Sequence, residues 1–333
     1  MQLLPDTPSP FAWTVLVGAA VATATASTLL GFSVPIAAIR TTIMLVAGLL
    51  ALAALSQSVW NKPAIAEPCA LFAFWVAMLA ILLPASYILA ALDFPLIDMP
   101  LSRMDQAIGF DWRWLQHETA KHRWLASASS WLYLHSILQL PLALICLAAT
   151  RELVRLNVCI SGFILATIAT LVLSGVLPAV GAYYHYGVVA HEMGHISEFV
   201  IVQSHLDHFW ALRSGTLRHL DITYGGIVTF PSYHSVVALV SGWAVWRVRF
   251  LGLANAVISG LVILTTLPIG GHHLMDIFGA AIVVAASLKL AAWAERPQDQ
   301  VTLIVAEPVA PPDFVWTRTA PSIGLFRRLP GLS

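Results

Sequence analysis

Long runs of this chain pass with few charges: residues 11–32, 35–56, 66–92, 130–149, 157–180, 234–250, 252–271 and 275–294 are built mainly of apolar side chains. About 20 such residues carry a helix across a bilayer. Arg40 lies near one end of the second run, where its long stem lets the charge reach the interface. Over the 333 residues only 10% are charged and 59% are apolar, against about 25% charged in soluble domains. Polar groups too sparse to cover an exterior exclude a soluble enzyme, a disordered chain and a disulfide scaffold. A membrane barrel would alternate apolar and polar residues rather than run apolar in blocks. The fold class is therefore an all-α, polytopic transmembrane helix bundle of about eight spans.

Basic residues orient the spans. Lys62, Arg151, Arg155, Arg247 and Arg249 fall in loops that eight alternating spans place on one side, and Arg296, Arg318, Arg327 and Arg328 follow the last span there. That side is expected to be cytoplasmic, with both termini inside. The first ten residues lack Lys and Arg, so the first block reads as a retained span rather than a signal peptide. Cys69, Cys146 and Cys159 lie inside apolar blocks, a pattern of neither disulfides nor a zinc ribbon. The formal charge is zero, which gives no attraction to nucleic acid.

Four regions follow: N-terminal spans over 1–92, an extracytoplasmic amphipathic segment over 93–129, a membrane core over 130–295, and a Pro-rich flexible cytoplasmic tail over 296–333. The segment 93–129 mixes acids and bases with Trp112, Trp114 and Trp124, as an interfacial helix does; a solvated connector fits equally. Residues 181–233, on the same outer side, are too many for a structureless loop and point to function.

Three histidine clusters carry chemistry. His272 and Asp276, after the breaker at Pro268, Gly270 and Gly271, are four apart and share one helix face; a carboxylate beside an imidazole fixes its tautomer and raises its basicity. The alternative is a pair of interfacial histidines, His272 and His273, with a capping aspartate. In the second cluster, Ser232 follows Pro231 as an N-cap, so the N–H groups starting the next helix can hold an anion beside His234. The starts of the sixth and eighth spans face the same side, so His234 and His272 can meet. The third cluster, His191-Glu192-Met193-Gly194-His195, has the spacing of a zincin, two ligands and a Glu base. A catalytic zinc needs a third ligand, and Ile201 stands where the metzincin pattern has one; Glu198, His205, Asp207 and His208 are the other candidates.

The stretches GIVTFPSYHSVVAL (226–239) and LPIGGHHLMDIFGAA (267–281) together resemble the type 2 phosphatidic acid phosphatase superfamily. They are most similar to its branch of inositolphosphotransferases and sphingolipid synthases. ALRSGTLRHLD (211–221) and, more weakly, GFDW (109–112) resemble that branch as well. The resemblance implies a membrane lipid as substrate and a bilayer setting, no metal or other cofactor, and a cell-membrane site on the extracytoplasmic face that lipid enters laterally. By that resemblance His272 is the nucleophile that forms a phosphohistidine, Asp276 orients it, and His234 protonates the leaving oxygen. The substrate phosphate is expected on Ser232 and Tyr233 and on Arg213 and Arg218. The last two stand in for a Ser-Arg pair of the wider superfamily, whose places are taken here by Thr265 and Thr266. Two other readings come from different classes: an integral-membrane zinc peptidase using His191 and His195, and a transporter with a histidine proton relay, which the absence of internal repeats disfavours.

Overall fold

A computed structural model describes residues 5–196, 199–220 and 226–296, without the side chains of 190 and 199–203. The elements are α1 (Pro10–Leu29), α2 (Ile36–Ser58), α3 (Pro63–Ala90), α4 (Asp98–Ala107), α5 (Trp112–Lys121), α6 (Arg123–His135), α7 (Gln139–Ala149), α8 (Leu153–Val176), α9 (Ala182–His185), α10 (Phe199–Arg213), α11 (Tyr233–Val245), α12 (Leu251–Thr266) and α13 (Leu274–Ala294). Among the described residues there is no strand, only a single bridge between Ser33 and His219. Among the described residues six helical segments are long and apolar enough to cross a membrane: α1, α2, α3, the run Arg123–Ala149 through α6 and α7, α8 and α13. The protein is an all-α, multi-pass membrane bundle. The expected tail at 297–333 lies outside the described residues.

Three spans differ most from the sequence reading. The fourth span, expected at 130–149, begins already at Arg123, and a 3-10 turn at Ser136–Leu138 joins its halves. The stretch before it, expected to lie at the interface, accordingly holds two short helices, α4 and α5, rather than one. The blocks 234–250 and 252–271 give helices of 13 and 16 residues. At 1.5 Å per residue α11 is about 20 Å long, short of the roughly 30 Å hydrocarbon core. Apolar composition runs on past both helices into the turns that end them, which is why the blocks looked longer.

The core lies where α8 meets α1, α3, α7, α11 and α13, with Phe74, Met78, Leu147, Leu156, Ile164, Val236, Val240 and Val284 buried together. Contacts sort into two ends. At one, Arg155 donates to the carbonyls of Trp243 and Ala244 at the end of α11. Ser9, the N-cap of α1, and Ser161 both donate to Glu295 Oε1 at 2.5 Å, and Arg151 pairs with Glu67 at 3.2 Å. At the other end the starts of α11 and α13 meet, roofed by α4, α5 and the residues around α9.

Candidate active site

The loop 267–273 sets up the start of α13. Gly271 has φ +66°, and a Cβ there would stand 2.3 Å from the Tyr183 ring, so only glycine makes this turn. The turn is pinned from two sides: Ala182 N–H donates to Gly271 O at 2.7 Å, and His272 N–H to Thr266 O at 3.3 Å. His272 Nδ1 then lies 3.0 Å from Asp276 Oδ2. The same oxygen accepts His273 N–H at 3.0 Å, so Asp276 caps its own helix while holding the ring. Both groups are buried, His272 at 4% and Asp276 at 0% exposure. An ionised carboxylate on Nδ1 fixes the proton there and leaves the Nε2 lone pair outward.

The start of α11 is tied to this turn. Ser232 N–H donates to Asp276 O at 3.2 Å. Its hydroxyl oxygen accepts Ser235 N–H at 3.4 Å and the Ser235 hydroxyl at 3.0 Å, an N-cap that leaves the N–H groups of Tyr233 and His234 without intrahelical partners. The Tyr233 side chain points to α8, its hydroxyl 3.4 Å from that of Thr167. His234 stacks on Tyr133 with ring centroids 4.1 Å apart. Tyr133 Cε2 in turn lies 2.9 Å from where a Cβ on Gly270 would stand, as does His272 Cδ2. Tyr133 therefore bridges His234 to the His272 turn, which the sequence reading did not anticipate.

The sequence offers His205, on α10, only as a metal ligand. It is held to the site by Thr229, whose hydroxyl lies 3.4 Å from Nε2. Burial, then the nearby His272 and His208, push its pKa down to about 4, so it is a neutral imidazole. Arg213 and Arg218 sit elsewhere in their contacts. The Arg213 guanidinium pairs with Asp93 at 2.5 Å and donates to the carbonyls of Leu92 and Phe94. Arg218 lies over the Phe32 ring at 4.5 Å and donates to Leu212 O. The Thr265 and Thr266 hydroxyls bond back into α12, to Val262 O and Ile263 O.

A second constellation surrounds His273. On α4 the buried residues are Asp98, Leu101, Ser102 and Asp105, a helical stripe that faces α13. Asp105 accepts the N–H groups of Leu274 and Met275 at 2.9 and 3.0 Å. Asp98 accepts those of Val180 and Gly181 at 2.7–3.1 Å. Between them the His273 ring is fully buried, 3.6 Å from Asp98 Oδ1 and 3.5 Å from Asp105 Oδ2. The seven-residue spacing of the two aspartates, two helical turns, was the signal available in the sequence.

The zincin pattern is a different object. Residues Ala190–Met193 form a 3-10 turn, not an α-helix, and Gly194 reverses the chain at φ +53°. His191 and His195 therefore lack the common helix face that a zincin pair requires. Glu192 accepts Val189 N–H at 3.0 Å and pairs with Arg113 at 3.4 Å, and these hold its carboxyl below the usual range. Met193 is buried against Trp112 and Ala120, and His195 N–H donates to Ala120 O. The motif docks the loop onto α5. Among the described residues no three His, Cys, Asp or Glu side chains converge as a metal site, and the peptidase reading is not supported.

A family model described as the PAP2 superfamily matches residues 99–290, more than half of the chain. The match takes in Tyr133, both starting turns, His273 and Asp105, and begins one residue after Asp98. No curated protein and no solved structure matches the chain.

Proposed function

The chain belongs to the PAP2 superfamily and is a membrane protein of the phosphatase type; on that premise we propose that it cleaves a phosphoester of a phospholipid or lipid phosphate through a phosphohistidine on His272. The observation that carries this reading is the buried 3.0 Å contact between His272 Nδ1 and Asp276, which presents Nε2 as a nucleophile. In the first half-reaction Nε2 attacks phosphorus, an N–P bond forms and the ester P–O bond breaks. The electron pair leaves with the lipid oxygen, which takes a proton from His234. In the second, water or an alcohol attacks phosphorus and gives its proton to His234, and the N–P pair returns to Nε2. Asp276 keeps the Nδ1 proton in place throughout and carries the charge that steadies the ring.

The free N–H groups of Tyr233 and His234 at the start of α11 suit the phosphate oxygens. Arg213 and Arg218 would have to leave their present partners to share that anion, so the helix start is the first contact. The FPSYH and HHLMD elements support the branch that transfers a headgroup phosphate to an alcohol, beside plain hydrolysis. With the Arg- and Lys-bearing end cytoplasmic, the site faces the extracytoplasmic side of the cell membrane. The short α11 and α12 then leave it recessed below the bilayer surface, where a lipid phosphate can slide in.

The test is a screen of phosphatidic acid and glycerophospholipids in mixed micelles for phosphate release, and for headgroup transfer when alcohol acceptors are added. His272→Ala should abolish turnover. Asp276→Asn should cost about 10⁴-fold in kcat, as in other carboxylate-oriented imidazoles. Wild-type-like turnover by a folded His272→Ala protein would refute the mechanism.

A further inference from the structure

His273 adjoins the proposed nucleophile in sequence, yet its side chain turns into a buried pocket of opposite charge. Asp98 and Asp105 are 5% and 0% exposed. Each spends its oxygens on backbone N–H groups near His272: Asp105 on Leu274 and Met275, which follow it, and Asp98 on Val180 and Gly181, in the segment that packs on Gly271. The next residue, Ala182, donates to Gly271 O. The chain on both sides of His272 is thus fixed through two carboxylates of one helix. Such carboxylates must stay ionised to accept these bonds strongly, and buried charge without a counter-ion is expensive.

We infer that His273 is a positioning residue: as a buried cation between Asp98 and Asp105 it keeps both carboxylates charged and so holds the backbone that aims His272. At 3.5 and 3.6 Å its nitrogens form ion pairs rather than finished hydrogen bonds, which makes charge its contribution. The groups that face it are Asp98 and Asp105 on α4, Asp276 on its own helix, His185 with ring centroids 5.6 Å away, and Tyr186 at 6.4 Å. Burial opposes the charge, but Asp105 and Asp98 outweigh it and push the pKa up to about 9. His185 goes the other way, lowered by burial and by the charge on His273. The kinetic part of the inference rests on the phosphohistidine reading; the charge on His273 does not.

Charge counting supplies the test. Asp98, Asp105 and His273 together carry one net negative charge. H273Q leaves two, and H273Q/D98N returns to one. The full chain is assayed in detergent micelles with dioctanoyl phosphatidic acid. H273Q should lose about 10²-fold in kcat, the cost of slight misplacement, while KM moves less than about twofold. D98N placed on H273Q should recover about tenfold or more, since neighbouring charges couple rather than add. Losses that simply multiply, or wild-type kcat in H273Q, would overturn the inference. Histidine ¹⁵N NMR of the full chain reads the charge without any substrate. The resonance missing from H273Q/D98N should be imidazolium in the wild type at about pH 8 and should titrate at lower pH in D98N. A neutral ring there would overturn the clamp whatever the activity. If the wild type releases no phosphate from any lipid while the ring is charged, the functional reading fails and the clamp stands.

Discussion

Raising the pH should loosen this protein through one buried group. His273 has a pKa of about 9 in the fold against 6.5 for an ordinary histidine. The folded state therefore binds the proton more tightly than the unfolded chain. Each pKa unit is worth about 1.4 kcal/mol, so the buried site as a whole, carboxylates less burial, contributes on the order of 3 kcal/mol while His273 is protonated in both states. The sign follows: this stability is complete below about pH 6.5 and is lost progressively as pH rises through about 9. His205 and His185, outside the spans, act below the window, since His205 is lowered to about 4 and His185 is lowered as well. The assay is the thermal unfolding midpoint of the full chain in detergent, in pH steps from about 6 to about 10. The midpoint should fall by several degrees across the window, and H273Q/D98N should be flat there. A wild-type midpoint that holds or rises, or an equal fall in the double variant, would refute the reasoning.

Gly271→Ala puts a methyl group 2.3 Å from the Tyr183 ring at φ +66°; it should cost about 1–2 kcal/mol in backbone conformation alone and, by shifting His272, about 10²-fold in kcat, and a variant with wild-type turnover would show that the turn yields freely. Glu192→Gln and His191→Ala should leave phosphate release within about threefold of wild type and EDTA should not inhibit; a stoichiometric zinc lost together with activity in His191→Ala would reverse that assignment. A reporter fused after Arg249 should read as cytoplasmic and one inserted near Ser214 as external; the same side for both would separate the starts of α11 and α13.

The membrane class was legible because it depends on composition alone: few charges over long runs leave a bilayer as the only solvent. The pairing of His272 with Asp276 was legible too, since residues four apart on a helix meet whatever the rest of the fold does, and the Ser232 cap is equally local. Helix ends were less so. Apolar residues continue through Val248 and Phe250 and through Leu267–Ile269, and composition does not mark where α11 and α12 stop. The alternative reading of HEMGH as a zinc site fails for a related reason. Its spacing means a shared face only on an α-helix, and burial of Met193 with the reversal at Gly194 made a 3-10 turn instead.

What the sequence determined by itself, then, is what near neighbours along the chain and the solvent decide: a helical membrane bundle, a nucleophile candidate beside its carboxylate, a capped helix start beside His234. Only the tertiary structure decided which distant groups serve that site. Tyr133 stacking on His234, His205 held by Thr229, and Asp98 and Asp105 closing on His273 join residues 24 to more than 150 apart in the chain. Which long-range partners meet depends on how whole helices pack, and a buried charge finds its counter-ion only once that packing has excluded water.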